Sequence, residues 1–317
     1  MSFSKDSKKE ILENDIEDAN NALAFLSGLI HASGTISKNS SGLQIEISTE
    51  FEEIFYFLDK IIEKMYGFGL IMEKHKDFRE YYVIKIPTEI SMQILKDCSL
   101  TQEDENGLNF LSKIDFNLLQ DEEMKKSFIK GAYVGCSTSN IKITELGSQM
   151  ATTGYHIEFS SPSEDFLKDL QSLLREFEIS SNIILRKKNY VLYLTDKDGI
   201  KDLLAIVGAF ESALNLSDEM AKRQLRNTVN RQVNCINYNI NKTVEASLRQ
   251  IQAIKFIDKK IGLESLPEDL QEVAVLRLAN PQESIGELLE LSTLKLTKGG
   301  LNHRFKRIIK IADILKD

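Results

Sequence analysis

The stretch Leu26 to Gly34, LSGLIHASG, decides how the rest of the 317-residue chain is read. It closes an amphipathic helical pattern and sets two small residues, Gly28 and Ala32, four apart, hence on one helix face. A second stretch, Ile129 to Ser137, IKGAYVGCS, does the same with Gly131 and Gly135. Glycine inside a helix costs about 1 kcal/mol relative to alanine, so a matched pair argues for a purpose. Small facing residues let two helix axes approach closer than the usual separation of roughly 8 to 10 Å. The natural partner of the first helix is therefore the second.

The segments behind the two stretches repeat in kind. Behind the first come an alternating run at Leu43, Ile45 and Ile47 and a helix from about Glu50 to Tyr66 with a 3.6-residue apolar period. Strand-like runs over Phe68 to His75 and Tyr81 to Ile86 come next, then a helix opened by Thr88. Behind the second, Tyr155, Ile157 and Phe159 alternate. Ser161, Pro162 and Glu164 read as a capping box with proline at the first helical position. Strands over Asn182 to Arg186 and Tyr190 to Thr195 precede a helix through Leu214. This duplication predicts two similar α/β halves, about 15–100 and 120–215, related by a pseudo-twofold.

LSGLIHASG resembles the LAGLIDADG signature of homing endonucleases, whose paired motif helices carry an acid near each C-terminal end to hold catalytic metals. A carboxylate there opposes the helix dipole and makes sense only beside a cation. In this chain the last acid of the signature is replaced by Ser33 and Cys136, and the preceding one by His31 and Val134. The resemblance implies an inherited scaffold without catalytic residues, metal or cofactor. The strands offer Lys74, Lys76, Lys85, Arg186, Lys187 and Lys188, interleaved with Glu46, Glu73, Asp77 and Glu158, which reads as a solvated sheet face and not a basic saddle.

Composition sets the class. With 42% apolar and 28% charged residues the chain is an ordinary globular protein. No apolar run is long enough for a bilayer, and the amino-terminal segment MSFSKDSKKEILEND is polar where a signal peptide would be greasy. A cytoplasmic, nucleoid-associated protein with no membrane contact is expected. Cys98, Cys136 and Cys235 lack a CxxC pair and are expected to be buried reduced thiols. His31, His75, His156 and His303 form no ligand pair. The net charge of −8 hides an asymmetry: residues 1–215 carry 23 Lys and Arg against 35 Asp and Glu, whereas residues 216–317 carry 17 against 13. An acidic first part and a basic second part are expected where only the second touches phosphate.

Residues 216–240 read as an Arg- and Asn-rich linker helix, and 241–317 as a helical domain. An apolar stripe runs from Leu225 through Val229, Val233, Ile236 and Ile240. Beside it stands a row of Asn227, Asn230, Asn234, Asn237 and Asn241. Asparagine is a poor helix former, which leaves two accounts. Either the row hydrogen-bonds the first domain, or it joins Arg223, Arg226 and Arg231 on a nucleic-acid backbone. Asn237 to Asn241 is also a place where the helix could break into a hinge.

Farther on, Ser265, Pro267 and Glu268 read as one helix cap, and Ser284 with Glu287 as another before the short SIGELLEL helix. Thr297 opens the last helix, whose inward stripe is Leu301, Phe305, Ile308, Ala312 and Leu315. From Lys295 to Lys310 there are six Lys and Arg and no acid. A short capped helix followed by a basic one is the sequence form of a helix-turn-helix, although the connection Leu291 to Leu296 exceeds the usual three or four residues. Lys298, Asn302, His303 and Lys306 are assigned to base edges. Thr297, Arg304, Arg307 and Lys310 are assigned to phosphates. The cations begin at the N-terminal end of the helix, where the dipole repels them, so the dipole does not account for their placement.

The run RNTVNRQVNCINYNINKTVEASLRQI, the paired degenerate motifs and the segment LNHRFKRIIKIA together resemble the WhiA family of bacterial sporulation and cell-division regulators. The resemblance spans nearly the whole chain. It implies an α+β protein: a duplicated LAGLIDADG-type αββαββα pseudo-twofold domain over 1–215, followed by an all-α helix-turn-helix domain. The implied function is non-enzymatic regulation, with double-stranded DNA as partner, no small-molecule substrate, and the first domain as platform for a protein partner. An active endonuclease or maturase would need carboxylates, and Glu122 and Glu145 lie away from the motif-helix ends. An adaptor that never touches DNA would leave the basic last helix without a use.

Overall fold

The computed structural model describes residues 2–39, 42–77, 79–104, 107–142, 154–292 and 296–316, in two units, Met1–Lys222 and Arg223–Asp317. The first opens with α1 (Phe3–Glu13) and α2 (Ala19–Ser33), the first motif helix. Next come β1 (Gly34–Asn39), β2 (Gly42–Thr49), α3 (Glu53–Tyr66), β3 (Ile71–Lys76), β4 (Glu80–Ile86) and α4 (Thr88–Asp97). A hairpin of β5 (Thr101–Asp104) and β6 (Gly107–Phe110) leads to α5 (Glu122–Cys136), the second motif helix. The order then recurs as β7 (Ser137–Asn140), β8 (His156–Ser161), α6 (Glu164–Glu176), β9 (Asn182–Arg186), β10 (Asn189–Leu194) and α7 (Lys197–Ile206). Strand order matches as well: β1-β2-β4-β3 in one sheet and β7-β8-β10-β9 in the other, antiparallel throughout.

Both motif helices are 15 residues long and start on an aspartate cap. Asp18 accepts from the Asn21 N–H at 2.9 Å and Asp121 from the Met124 N–H at 2.8 Å. Both pass straight into a strand through extended backbone, at Gly34 and at Ser137. Between them the glycines do what their spacing predicts. A Cβ built on Gly28 would lie 2.1 Å from the Phe128 carbonyl oxygen, and one on Gly131 would lie 2.1 Å from that of Phe25. At Gly135 it would meet the Cβ of Ala32 at 2.7 Å. Backbone touches backbone, a separation only glycine permits.

Around this contact the two sheets turn alternate residues inward, Ile45, Ile47, Ile84 and Ile86 from one and Ile157, Phe159, Leu192 and Leu194 from the other. They share one apolar core with Ile54, Leu58, Ile61 and Ile62 of α3 and with Phe166, Leu167, Leu170 and Leu174 of α6. The polar amino-terminal segment forms α1 and buries Ile11. Ser7 shares a 2.9 Å hydrogen bond with the Tyr133 hydroxyl of α5. The Glu10 carboxylate accepts from the Ser212 N–H at 3.1 Å and from its hydroxyl at 2.8 Å, capping the start of α8 (Phe210–Ile261).

Several local expectations are corrected. α6 is capped by Ser163, which accepts from the Phe166 N–H, while the Ser161 hydroxyl accepts from the Ser163 N–H. Pro162 therefore precedes the helix. Thr88 is the first helical residue behind Pro87. The helix expected to run through Leu214 breaks at Gly208, whose φ of +85° no helical residue adopts, giving α7 and α8. α8 itself is unbroken through Asn237 to Asn241, so no hinge forms there. Cys98 is buried as expected, but Cys136 is only half-buried and Cys235 is exposed on α8. The apolar stripe from Leu225 to Leu248 is likewise exposed, between Leu216, which is buried in the core of the first unit, and Ala253, Ile254 and Ile257, which are buried in that of the second.

Gly28→Ala drives a methyl into backbone that cannot give way. It is expected to cost about 3 kcal/mol or more, the upper end of overpacking penalties, in urea unfolding followed by circular dichroism. Gly69→Ala, whose Cβ would meet nothing nearer than 3.8 Å, leaves the midpoint in place.

Candidate nucleic-acid interface

In the second unit, the end of α8 packs with α9 (Glu268–Ala279), α10 (Ile285–Leu291) and α11 (Lys298–Ile314). Their core joins Ile254, Ile257, Leu270, Val273, Leu288, Leu301, Phe305 and Ile308. α10 begins with the expected capping box of Ser284 and Glu287. α9 begins differently from expectation: Ser265 donates to the Ile261 carbonyl at 2.6 Å and caps nothing, and the helix starts behind Pro267. Residues 293–295, which include Lys295 and the middle of the long connection, lie outside the described residues.

α11 buries Leu301, Phe305, Ile308 and Ala312, four of its five expected inward positions, and half-buries Leu315. The register that buries these leaves Asn302, His303, Lys306, Arg307 and Lys310 exposed. Asn302, Lys306 and Lys310, each four apart, form one strip down the helix. The remaining assigned residues have neighbours in the protein, with Thr297 and Lys298 still exposed. Thr297 is the helix cap, its hydroxyl accepting from the Gly300 N–H at 3.2 Å. Lys298 lies along the first turn of α10, where a Cβ on Gly286 would come within 3.0 Å of its Nζ. Arg304 is half-buried, its Nε 3.6 Å from Asp269 of α9, and Arg307 reaches the same carboxylate at 3.2 Å. Asp269 thus draws two cations onto α9, a pairing that sequence spacing does not show.

Arg277 also escapes a reading by spacing. It is 1% exposed, with Nε donating to Gln250 of α8 at 2.9 Å and one terminal nitrogen donating to the carbonyls of Asn280 and Glu283 at 3.3 and 2.6 Å. Its guanidinium lies 5.2 Å from the centre of the Phe305 ring. One buried cation therefore ties α8, the turn after α9 and α11 together. On α8, Arg231 and the row of Asn227, Asn230, Asn234, Asn237 and Asn241 are exposed, whereas Arg223 and Arg226 are half-buried.

In the first unit, the two motif-helix ends do not suit a divalent cation. Magnesium takes hard oxygen ligands, chiefly carboxylates. Ser33 instead donates its hydroxyl to the Leu29 carbonyl at 3.1 Å, and burial pushes the Cys136 thiol up to about 12, so it stays protonated. His31 stacks on Phe166 with ring centres 5.6 Å apart. Its Nδ1 lies 2.9 Å from the Ser27 carbonyl and its Nε2 3.2 Å from that of Lys113. Three of the six sheet cations pair with acids: Lys74 with Glu80 at 3.3 Å, Lys85 with Glu73 at 2.7 Å and Arg186 with Glu158 at 2.8 Å. Glu145 lies outside the described residues, and Glu122 sits in the first turn of α5, opposite the motif end.

Comparison with known proteins gives this arrangement its kin. A model of the WhiA LAGLIDADG-like domain matches residues 22–102 and 145–226, and one of the WhiA C-terminal HTH domain matches residues 229–312. Over 322 residues the chain is 35% identical to a probable cell division protein WhiA of Clostridium botulinum strain Hall, covering 100% of this chain and 99% of that one. The chain belongs to the WhiA family. Another WhiA, from Staphylococcus carnosus strain TM300, is 34% identical over 321 residues, with 100% and 98% covered. The crystal structure of full-length WhiA from Thermotoga maritima superimposes with a TM-score of 0.61 at 25% identity, covering 99% of this chain and 98% of that one. The WhiA fold is thus a LAGLIDADG-like α+β unit followed by a helix-turn-helix unit, as the sequence resemblance implies. Among the described residues no helix is long and apolar enough to cross a membrane.

His31 marks the first-acid position of the WhiA motif helix, and burial lowers its pKa below the ordinary 6.5. The folded chain therefore holds that proton less tightly than the unfolded chain does. Stability is unaffected well above pH 6.5, falls as pH drops through that value, and levels off below the folded pKa. Urea unfolding of His31→Gln is expected to depend less on pH between about 7.5 and 5.5 than unfolding of the parent; equal dependence would show that the buried imidazole takes up its proton freely.

Proposed function

We propose that the chain is a non-enzymatic, sequence-preferring DNA-binding regulator that acts on transcription and on cell division and chromosome segregation at the nucleoid. The observation that supports it is the exposed strip of α11. Among the described residues Asn302, Lys306 and Lys310 stand free of ion pairs, on a helix whose opposite face is buried, and His303 and Arg307 flank them. Asn302, His303 and Lys306 supply the hydrogen-bonding groups that distinguish base edges in a major groove. Arg307 and Lys310 lie where phosphates pass. Lys298, exposed in the first turn, is assigned to a base edge as well, while Thr297 caps the helix and Arg304 anchors it to Asp269. Arg226 and Arg231 are assigned to further backbone contacts, with Arg223 beside them. The first unit, with three of its sheet cations paired to acids and no carboxylate at its motif ends, serves as scaffold and as platform for a protein partner.

The name of the Clostridium botulinum relative, probable cell division protein, fits a regulator and names no catalytic activity. The test is a mobility-shift titration of the full chain on promoter fragments across a range of salt, with magnesium present. Removing one phosphate contact flattens the slope of log K against log salt by about 0.9. Arg307→Gln with Lys310→Gln should therefore weaken binding and flatten the slope by about 1.8, with the DNA left intact. An unchanged slope would remove the α11 assignment, and site-specific cleavage would remove the non-enzymatic one.

A further inference from the structure

A cavity of about 680 Å³ opens in the first unit where three elements converge: the start of α1, the ends of β2 and β4 nearest Thr49 and Tyr81, and the junction of α5 with β7. Register places it level with the C-terminal end of α2, since Gly34 pairs with Ile47 and Thr49 with Tyr82. Its walls are polar and cationic. Lys5, Lys8 and Arg79 line it, with Glu50 as the one acid among the described residues, and Glu50 lies 3.6 Å from Arg79.

Lys8 is the unusual member. It is 4% exposed and has no ion-pair partner among the described residues. Its Nζ rests 5.2 Å from the centre of the Phe51 ring. Burying an unpaired ammonium is costly unless something negative meets it, and here burial drags its pKa down to about 8. Two further features point the same way. The first turn of α1 lines the cavity and carries no side-chain cap; the Lys5 and Asp6 N–H groups return to the Ser2 carbonyl, which leaves those of Phe3 and Ser4, and the helix dipole, to meet an anion. The Ser139 hydroxyl in the opposite wall is buried without a hydrogen-bond partner among the described residues. Phe51 and Tyr81 provide flat apolar walls beside these donors.

We propose that this cavity binds a small organic phosphate monoester of nucleotide size, with the phosphate held by Lys8, Lys5 and the first turn of α1 and the organic part against Phe51 and Tyr81. Ligand cavities commonly measure roughly 300 to 1,000 Å³, so the volume suits such a molecule. A duplex backbone could supply phosphate too, but a side chain as enclosed as Lys8 favours a ligand that enters the cavity.

The test is calorimetric titration of the full chain with inorganic phosphate, with adenosine 5′-monophosphate and with a short duplex, repeated on Lys8→Met and on Ser139→Ala. Lys8→Met removes an unpaired buried charge while keeping its length, and circular dichroism checks its fold. Saturable binding of the monophosphate, weakened about tenfold or more in Lys8→Met as loss of a charge-assisted hydrogen bond requires, and weakened less in Ser139→Ala, is expected. No binding of phosphate or monophosphate, or equal affinity in both variants and parent, would overturn the proposal. So would duplex binding that Lys8→Met weakens while the monophosphate fails to compete. None of these outcomes bears on α11, so failure here leaves the DNA-binding proposal standing.

Discussion

Where any other residue would carry its Cβ, Gly28 has the carbonyl oxygen of Phe128 at 2.1 Å, and Gly131 has that of Phe25 at the same distance. This double contact sets the geometry of the first unit. It fixes the separation of α2 and α5, and through the strands that leave their ends without a loop it fixes where both sheets begin. The residues that fill the core around it are replaceable by others of like volume. The two glycines are not, because what they meet is main chain.

The same contact explains how chemistry could be lost without loss of fold. Carboxylates at the ends of paired helices are a burden to the scaffold, since the helix dipoles and each other's charge oppose them. With a serine hydroxyl turned back onto its own helix and a protonated thiol in their places, the ends are satisfied internally. The packing face and the metal face of the motif share the helix but not the residues, so one persists while the other is replaced. In the second unit the division runs along α11 in a similar way: one face is core, the other is cation and amide, and buried Arg277 and half-exposed Asp269 hold the helix at its angle.

Much of the fold was legible because its signals are local or periodic. Gly28 and Gly131 marked the paired helices, the alternating isoleucines marked the strands, and Ser284 with Glu287 marked α10. The misses came where tertiary structure decides. The polar segment that forms α1 reads only as unlike a signal peptide, and the partners that Ile11 and Ser7 find on other elements are not visible in its sequence. Gly208 breaks a helical pattern that its neighbours would continue, and Ser163 outcompetes Ser161 as the cap of α6. At the interface, the inward stripe of α11 followed from periodicity, and so did the exposed positions between. That Arg304 and Arg307 converge on Asp269, and that Arg277 is a core residue, could not be read from spacing, because an arginine in a helix carries no mark of which charge or carbonyl it will meet. The asparagine row reads as a place to break, yet α8 continues through it as helix.

The central claim is that the contact between α2 and α5 is what the first unit is built on, and amide hydrogen exchange tests it most directly. If it holds, the amides of Leu26 to Ile30 and of Ile129 to Tyr133 exchange last and together, through the global opening of the unit, with α3, α6 and the strand edges exchanging earlier. Exchange of the motif-helix amides ahead of the sheets that flank them would contradict the account, because the glycine contact would then be an ornament on a structure held elsewhere.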